Sequence, residues 1–172
     1  METLVEQARA GSPDAFEKLV RLHVQALYRT GYAILRNDED VADAVQDAVL
    51  SAWQKLGQLS DPQYFKTWLI RIMVNKCYTL ASKRKVAVPL EQAPDVADEH
   101  AETPNLEWEE ALDVLDERYR PAIVMYYAEG FKTTEIAELL DKPASTITTW
   151  LARGREQLTR YYRPRGSEGA LV

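Results

Sequence analysis

Apolar residues recur at i, i+3 and i+4 along nearly all of this chain, and no stretch sustains a two-residue alternation. That periodicity disfavours sheet architectures and predicts an all-α fold. It is interrupted once. Residues 89–105, PLEQAPDVADEHAETPN, hold three prolines, few large apolar side chains and no helical period, so they read as an acidic linker. The chain then divides into two small helical domains, over 1–88 and 106–165, followed by a tail, 166–172, expected to be disordered and assigned no role. No internal repeat suggests a solenoid.

Charge follows the same division. A formal net charge of -6 argues against nucleic-acid binding until it is resolved along the chain. Residues 1–88 carry 12 Lys and Arg against 10 Asp and Glu, residues 89–117 carry none against 11, and residues 118–172 carry 9 against 6. Two mildly basic modules are thus joined by an acidic tether. Cys77 is the single cysteine and cannot close an intramolecular disulfide; with only His23 and His100 beside it, the inventory is poor for structural zinc. No cofactor or metal is expected. A reducing compartment fits best. The N-terminus METLVEQARAGSPDAF lacks the layout of a signal peptide, and no run approaches the roughly 18 apolar residues of a membrane span. A soluble, cytoplasmic protein without direct membrane insertion is expected.

Ser12-Pro13 opens a helix, and Phe16, Leu19, Val20, His23, Ala26, Leu27 and Ile34 give it one buried stripe, on which His23 has a core or boundary role. Asn37 or Asp38 caps the next, whose regular apolar face is Val41, Val45, Ala48, Val49, Ala52, Trp53 and Leu56. Asp61-Pro62 opens the third, YFKTWLIRIMVNKCYTLASKRK. After the linker, helices are expected near Leu106 to Leu115, Pro121 to Glu129 with Gly130 as the stop, Thr133 to Leu140, and Ser145 to Tyr162. The last two, joined by DKPA, form a candidate helix-turn-helix. In the final helix Ile147, Leu151, Gly154, Leu158 and Tyr161 set the packed face. At about 100° per residue, Thr146, Thr149, Trp150, Arg153, Gln157 and Arg160 gather on an adjacent face that would enter a DNA groove.

Two further constellations stand out. Asp43, Gln46, Asp47, Leu50 and Gln54 cluster opposite the apolar stripe of the second helix. They form either a solvated face with one stray leucine or a docking surface with an apolar centre and a polar rim. No His, Lys or metal motif completes an acid–base site around the two carboxylates, so no catalytic residue is assigned. The third helix interleaves Tyr64, Phe65, Trp68 and Tyr78 with Lys66, Arg71, Lys76, Lys83, Arg84 and Lys85. Single-stranded DNA binding needs rings for stacking and cations for phosphates, and both are present. Equally, the rings pack the bundle and the cations are a solvated end. A tryptophan exposed at 150 beside Arg153 tilts the last helix toward binding.

Taken together, DEDVADAVQDAVLSAW (38–53), YFKTWLIRIMVNK (64–76) and YYAEGFKTTEIAELLDKPASTITTWLARGREQL (126–158) resemble the extracytoplasmic-function (ECF) sigma factors of the sigma-70 superfamily, initiation subunits of bacterial RNA polymerase. The resemblance runs from about residue 5 to 163. It implies that Asp43, Gln46, Asp47, Leu50 and Gln54 dock on the clamp coiled coil of the largest subunit of core RNA polymerase, with the flap as a further contact. It implies that the third helix and the LGQLSDPQ loop before it read and help melt the minus-ten promoter element, through Lys66, Trp68, Arg71, Asn75, Lys76, Lys83 and Arg84. Asn75 matches an asparagine that lines the pocket for a flipped base, whose capture offsets unstacking. The helix-turn-helix would read the minus-thirty-five element through Lys142, Ser145, Thr146, Thr149, Trp150, Arg153 and Arg160. The linker would thread toward the active-site channel and RNA exit path, and an anti-sigma factor is an expected partner.

The chain departs from the family pattern at several positions. Thr148, Thr149 and Trp150 stand where basic residues and a serine are usual, which removes two phosphate-binding charges. Lys132 and Glu135 replace the usual cap pair, leaving Thr133 to cap; Asp141 replaces a turn glycine; Pro121 is expected to start its helix. The rivals are a dimeric helix-turn-helix regulator that binds a symmetric operator, a helical enzyme, and an adaptor without DNA contact.

Overall fold

The computed structural model describes residues 1–87 and 106–163, and every described element is helical. The expected linker and tail lie outside the described residues. In chain order the helices are α1 (Glu2–Arg9), α2 (Pro13–Leu35), α3 (Asp38–Lys55), α4 (Phe65–Ala87), α5 (Leu106–Val114), α6 (Arg120–Ile123), α7 (Thr133–Leu140) and α8 (Ala144–Tyr162). Two 3-10 turns, Leu56–Gln58 and Pro62–Tyr64, bridge α3 to α4, and a π-helical turn, Val124–Ala128, prolongs α6.

The starts follow from local chemistry. Ser12 Oγ accepts the Ala15 N–H at 3.3 Å and Asn37 Oδ1 accepts the Asp40 N–H at 3.0 Å, satisfying donors that a helix start leaves orphaned. Asp61 does the same for Gln63 at 3.0 Å, so α4 is entered through a capped turn. Helix α1 was not anticipated; Val5 and Ala8 bury one of its faces against α2.

Helices α2, α3 and α4 bury Leu19, Leu27, Val41, Phe65, Leu69, Ile70 and Met73, each large side chain contributing about 1.5–3 kcal/mol relative to exposure. His23 is buried, its ring 5.4 Å from that of Phe65 and its Nδ1 2.7 Å from the Leu19 carbonyl, as the stripe predicts. The buried face of α3 is rotated from the expected stripe. It consists of Asp40, Val41, Ala44, Ala48, Ser51 and Ala52, whereas Val45 and Val49 are half-buried and Trp53 is 37% exposed. A Cβ at Gly31 of α2 would lie 2.5 Å from Met73 Cε and 3.2 Å from Val41 Cγ1, so the missing side chain lets these two residues fill the space against α2.

The expected helix 121–129 forms, with its second half wound as a π turn. Pro121 stands in the first turn of α6, and the ladder then widens, with the Glu129 N–H reaching the Val124 carbonyl at 3.1 Å before Gly130 turns the chain at φ 74°. Tyr126 and Tyr127 are left outside while Phe131 points inward. Asp141 occupies the left-handed turn between α7 and α8 at φ 52°, the role expected of it in place of glycine. The expectation that Thr133 caps α7 is corrected: Thr133 is the first helical residue, and the Glu135 carboxylate accepts the Lys132 N–H at 2.7 Å.

The two groups of helices are in contact, which the reading of a simple tether did not foresee. Helix α6 and the π turn pack on α2, and α7 packs on α4.

Candidate protein and nucleic-acid interfaces

On α3, Asp43, Gln46, Asp47, Leu50 and Gln54 are all exposed, with Leu50 at 57%. The opposite side of the helix is sealed by alanines, so this leucine is surplus to the core. Next to it lies a feature that periodicity misassigned. Trp53, expected to be buried, packs with its ring tilted against that of Phe16 at 5.0 Å and joins Pro13, Val20 and Val49 around an apolar groove of about 230 Å³. The sequence signal was available: a tryptophan at the edge of an alanine-rich face is too large for the close helix contact that alanines permit.

Helix α4 distributes its expected DNA-facing residues unequally. Lys76 and Lys83 line a groove of about 330 Å³ opposite Asp43, Gln46 and Asp47 of α3. Asn75 is exposed, and Tyr64 and Tyr78 are 54% and 44% exposed, leaving rings accessible for stacking. Trp68 is half-buried, 6.0 Å from the buried Phe65 ring, so it divides its surface between core and solvent. Arg84 extends one nitrogen to within 2.5 Å of the buried Asp40 carboxylate. Lys66 and Arg71 turn toward the C-terminal helices. Lys66 Nζ donates to the Glu129 carbonyl at 2.9 Å, lies 3.4 Å from its carboxylate and sits over the Phe131 ring at 5.1 Å; Arg71 pairs with Glu138 at 3.5 Å.

Helices α7 and α8 pack through Ile136, Leu139, Leu140, Ile147 and Leu151, all buried. Lys142, Ser145, Thr149, Arg153 and Arg160 are exposed around α8, and Thr146 is half-buried. The Thr149 hydroxyl donates back to the Ser145 carbonyl at 3.0 Å. Arg153 is 3.4 Å from Glu156, and both remain largely hydrated. The expectation of a free tryptophan is corrected: Trp150 is half-buried and packs 6.4 Å from the Tyr119 ring, because α8 has to cover the turn that leads into α6. Gln157 also has a structural task, since its Oε1 accepts the Asp116 N–H at 3.0 Å. Sequence reasoning missed Arg29, Arg36, Glu129 and Asp113, which pair the two groups of helices. Partners as far apart as Arg36 and Asp113 leave no periodic signal.

An all-α chain with an exposed acid–amide face, a basic aromatic helix and a helix-turn-helix has the architecture of a DNA-binding protein. Residues 19–86 match the sigma-70 region 2 family and residues 105–158 match sigma-70 region 4. ECF RNA polymerase sigma factor SigM of Mycobacterium tuberculosis is 33% identical over 154 residues, covering 88% of this chain and 79% of its own. ECF RNA polymerase sigma factor SigW of Bacillus subtilis is 27% identical, covering 92% and 95%. Among solved structures, CnrH in complex with the cytosolic domain of CnrY is similar at 27% identity and a TM-score of 0.66, covering 93% of this chain and 95% of that one. The sigma factor RpoE of Bartonella quintana, bound to the anti-sigma factor NepR, shares the fold at 24% identity and a TM-score of 0.67, covering 84% and 94%. The chain belongs to the ECF sigma factors of the sigma-70 superfamily. Its function is to bind core RNA polymerase and direct it to promoters for transcription initiation. The region 2 match separates it from a dimeric operator-binding regulator. No helix among the described residues is long and apolar enough to cross a membrane.

Proposed function

We propose a division of labour in which residues 1–88 dock on polymerase and open the minus-ten element, residues 106–165 hold the minus-thirty-five element, and the acidic stretch 89–105 spans the two. The observation that carries this reading is Leu50, 57% exposed at the centre of an acid and amide rim. Such a residue adds nothing to the fold and supplies the desolvated centre of a protein interface. The clamp coiled coil of the largest polymerase subunit is its partner, with Asp43, Gln46, Asp47 and Gln54 as rim and Trp53 extending the contact; the flap engages the C-terminal helices.

On the DNA side, Asn75, Lys76, Lys83 and Arg84, with Lys66, Trp68 and Arg71 once these are free, hold the unpaired minus-ten strand. Lys142, Arg153 and Arg160 hold phosphates, while Ser145, Thr146 and Thr149 lie near base edges. Trp150 acts by supporting the helix. The protein performs no covalent chemistry and works in the cytoplasm. An anti-sigma factor is a fitting partner, since the similar CnrH and RpoE are solved with CnrY and with NepR.

Leu50→Glu tests the docking step. An exposed helix position tolerates the change within about 0.5 kcal/mol, so the variant should keep its helical circular dichroism and lose co-purification with core polymerase. Undiminished co-purification would contradict the assignment.

A further inference from the structure

Helix α3 opens with three acids in its first turn, Asp38, Glu39 and Asp40, and their environments differ. Asp38 and Glu39 face solvent, where they complement the positive end of the helix, whereas Asp40 is only 5% exposed. Among the described residues its ion-pair partner is Arg84, whose Nη1 lies 2.5 Å from the Asp40 Oδ2. A buried carboxylate is costly without such a partner, so the inward turn of Asp40 depends on Arg84. Arg84 belongs to the last turn of α4 and follows the buried Met73 and Cys77 at helical spacing, on the face that α4 turns toward its neighbours. Even so, 54% of its side chain remains in water.

We propose that Asp40 is a positioning residue for strand capture: it holds the Arg84 guanidinium at the end of α4 so that the donors left free meet a phosphate of the unpaired minus-ten strand. The proposal rests on the reading of α4 as the minus-ten surface. A free arginine loses much side-chain entropy when it is fixed on a phosphate. Its guanidinium is a flat fork of five N–H donors, so a carboxylate on one edge leaves the other edge oriented and hydrated. Asp40 supplies that restraint from the capped first turn of α3, where Asn37 Oδ1 accepts its N–H at 3.0 Å, and burial keeps its own carboxylate away from nucleic acid. A carboxylate that merely neutralised Arg84 would weaken phosphate binding, whereas one that orients it strengthens binding. The two roles therefore differ in sign.

The experiment is run-off transcription by core polymerase with the full chain on one promoter recovered from a genomic library, read as the template concentration that gives half-maximal yield. Asp40→Asn should raise that concentration about tenfold, the size of one hydrogen bond to a charged group, while the plateau and co-purification with core polymerase are retained. Arg84→Gln should raise it equally, and the double variant no further, because the two residues act as a unit. An unchanged or lowered half-maximal concentration for folded Asp40→Asn overturns the proposal. So does a lowered plateau at an unchanged half-maximal concentration, the mark of a merely structural role, or a double variant that combines both losses in full. Should Asp40→Asn not fold, Arg84→Lys keeps the charge and gives up the planar fork; it should match Arg84→Gln, and a value equal to that of the unmutated chain overturns the proposal. Lys83→Gln separates the two levels. Unchanged values for both Lys83→Gln and Arg84→Gln would undo the minus-ten reading of α4, whereas a rise with these two and none with Asp40→Asn would remove the role of Asp40 alone.

Discussion

At the scale of single residues, Leu50 and Cys77 show how burial sorts side chains of similar polarity. Leu50 stands outside and is surplus to folding, whereas Cys77 is wholly buried on α4. Burial alone pushes its thiol up to about 12 from an ordinary value near 9.0. The sign follows from linkage. The folded state favours the neutral thiol, so this stabilisation is complete below the unfolded value and is lost as pH rises from about 9 through about 12. Thiolate is the reactive form, so Cys77 should resist iodoacetamide at pH 8 in the native chain and react with one equivalent once denatured. Rapid alkylation of the folded protein would mean that this part of α4 opens to solvent. Trp150 makes the complementary point: its large ring was expected to lie free beside Arg153, and it is instead half-covered by Tyr119.

At the scale of elements, packing between α6 and α8 fixes how the helix-turn-helix is presented. A Cβ at Gly154 of α8 would lie 2.7 Å from both Cγ1 and Cδ1 of Ile123, itself buried at 5%. Replacing a mid-helix glycine with alanine ordinarily gains up to about 1 kcal/mol. Overpacking a closed core loses about 1–3 kcal/mol, and here the clash includes the stiff branch of an isoleucine. Gly154→Ala should therefore destabilise the chain, measured as a lower urea midpoint with an unchanged slope; a raised midpoint would show that Ile123 has room to move. Much at this scale was legible beforehand. Ser12 and Asn37 open helices where their side chains predict, Asp61 caps the 3-10 turn that leads into α4, and Asp141 makes the left-handed turn between α7 and α8. What was not legible has physical causes. Helix α1 is short, with one narrow apolar face. The π turn at Val124–Ala128 leaves no signature in period. The close fit of Val41 and Met73 against Gly31 depends on contacts between three helices. Of the candidate interfaces, the exposure of Asp43, Gln46, Asp47, Leu50 and Gln54 could be read from spacing, while the capture of Lys66 and Arg71 by Glu129 and Glu138 depended on contacts across the chain.

At the scale of the whole molecule, the segregation of charge gains a second meaning. The net -6 keeps the free chain from gripping DNA through bulk charge, and within the described residues acids from the C-terminal side sit on cations of the N-terminal side. On the proposed division of labour, the free chain binds a promoter weakly, and core polymerase supplies the span that lets both sets of DNA contacts form together. The most direct measurement is run-off transcription from a genomic promoter library with purified core polymerase, in the presence and absence of this chain. Discrete transcripts that appear only when the chain is added, and that vanish with Leu50→Glu, are the predicted result. Transcripts identical to those of core polymerase alone would contradict the account.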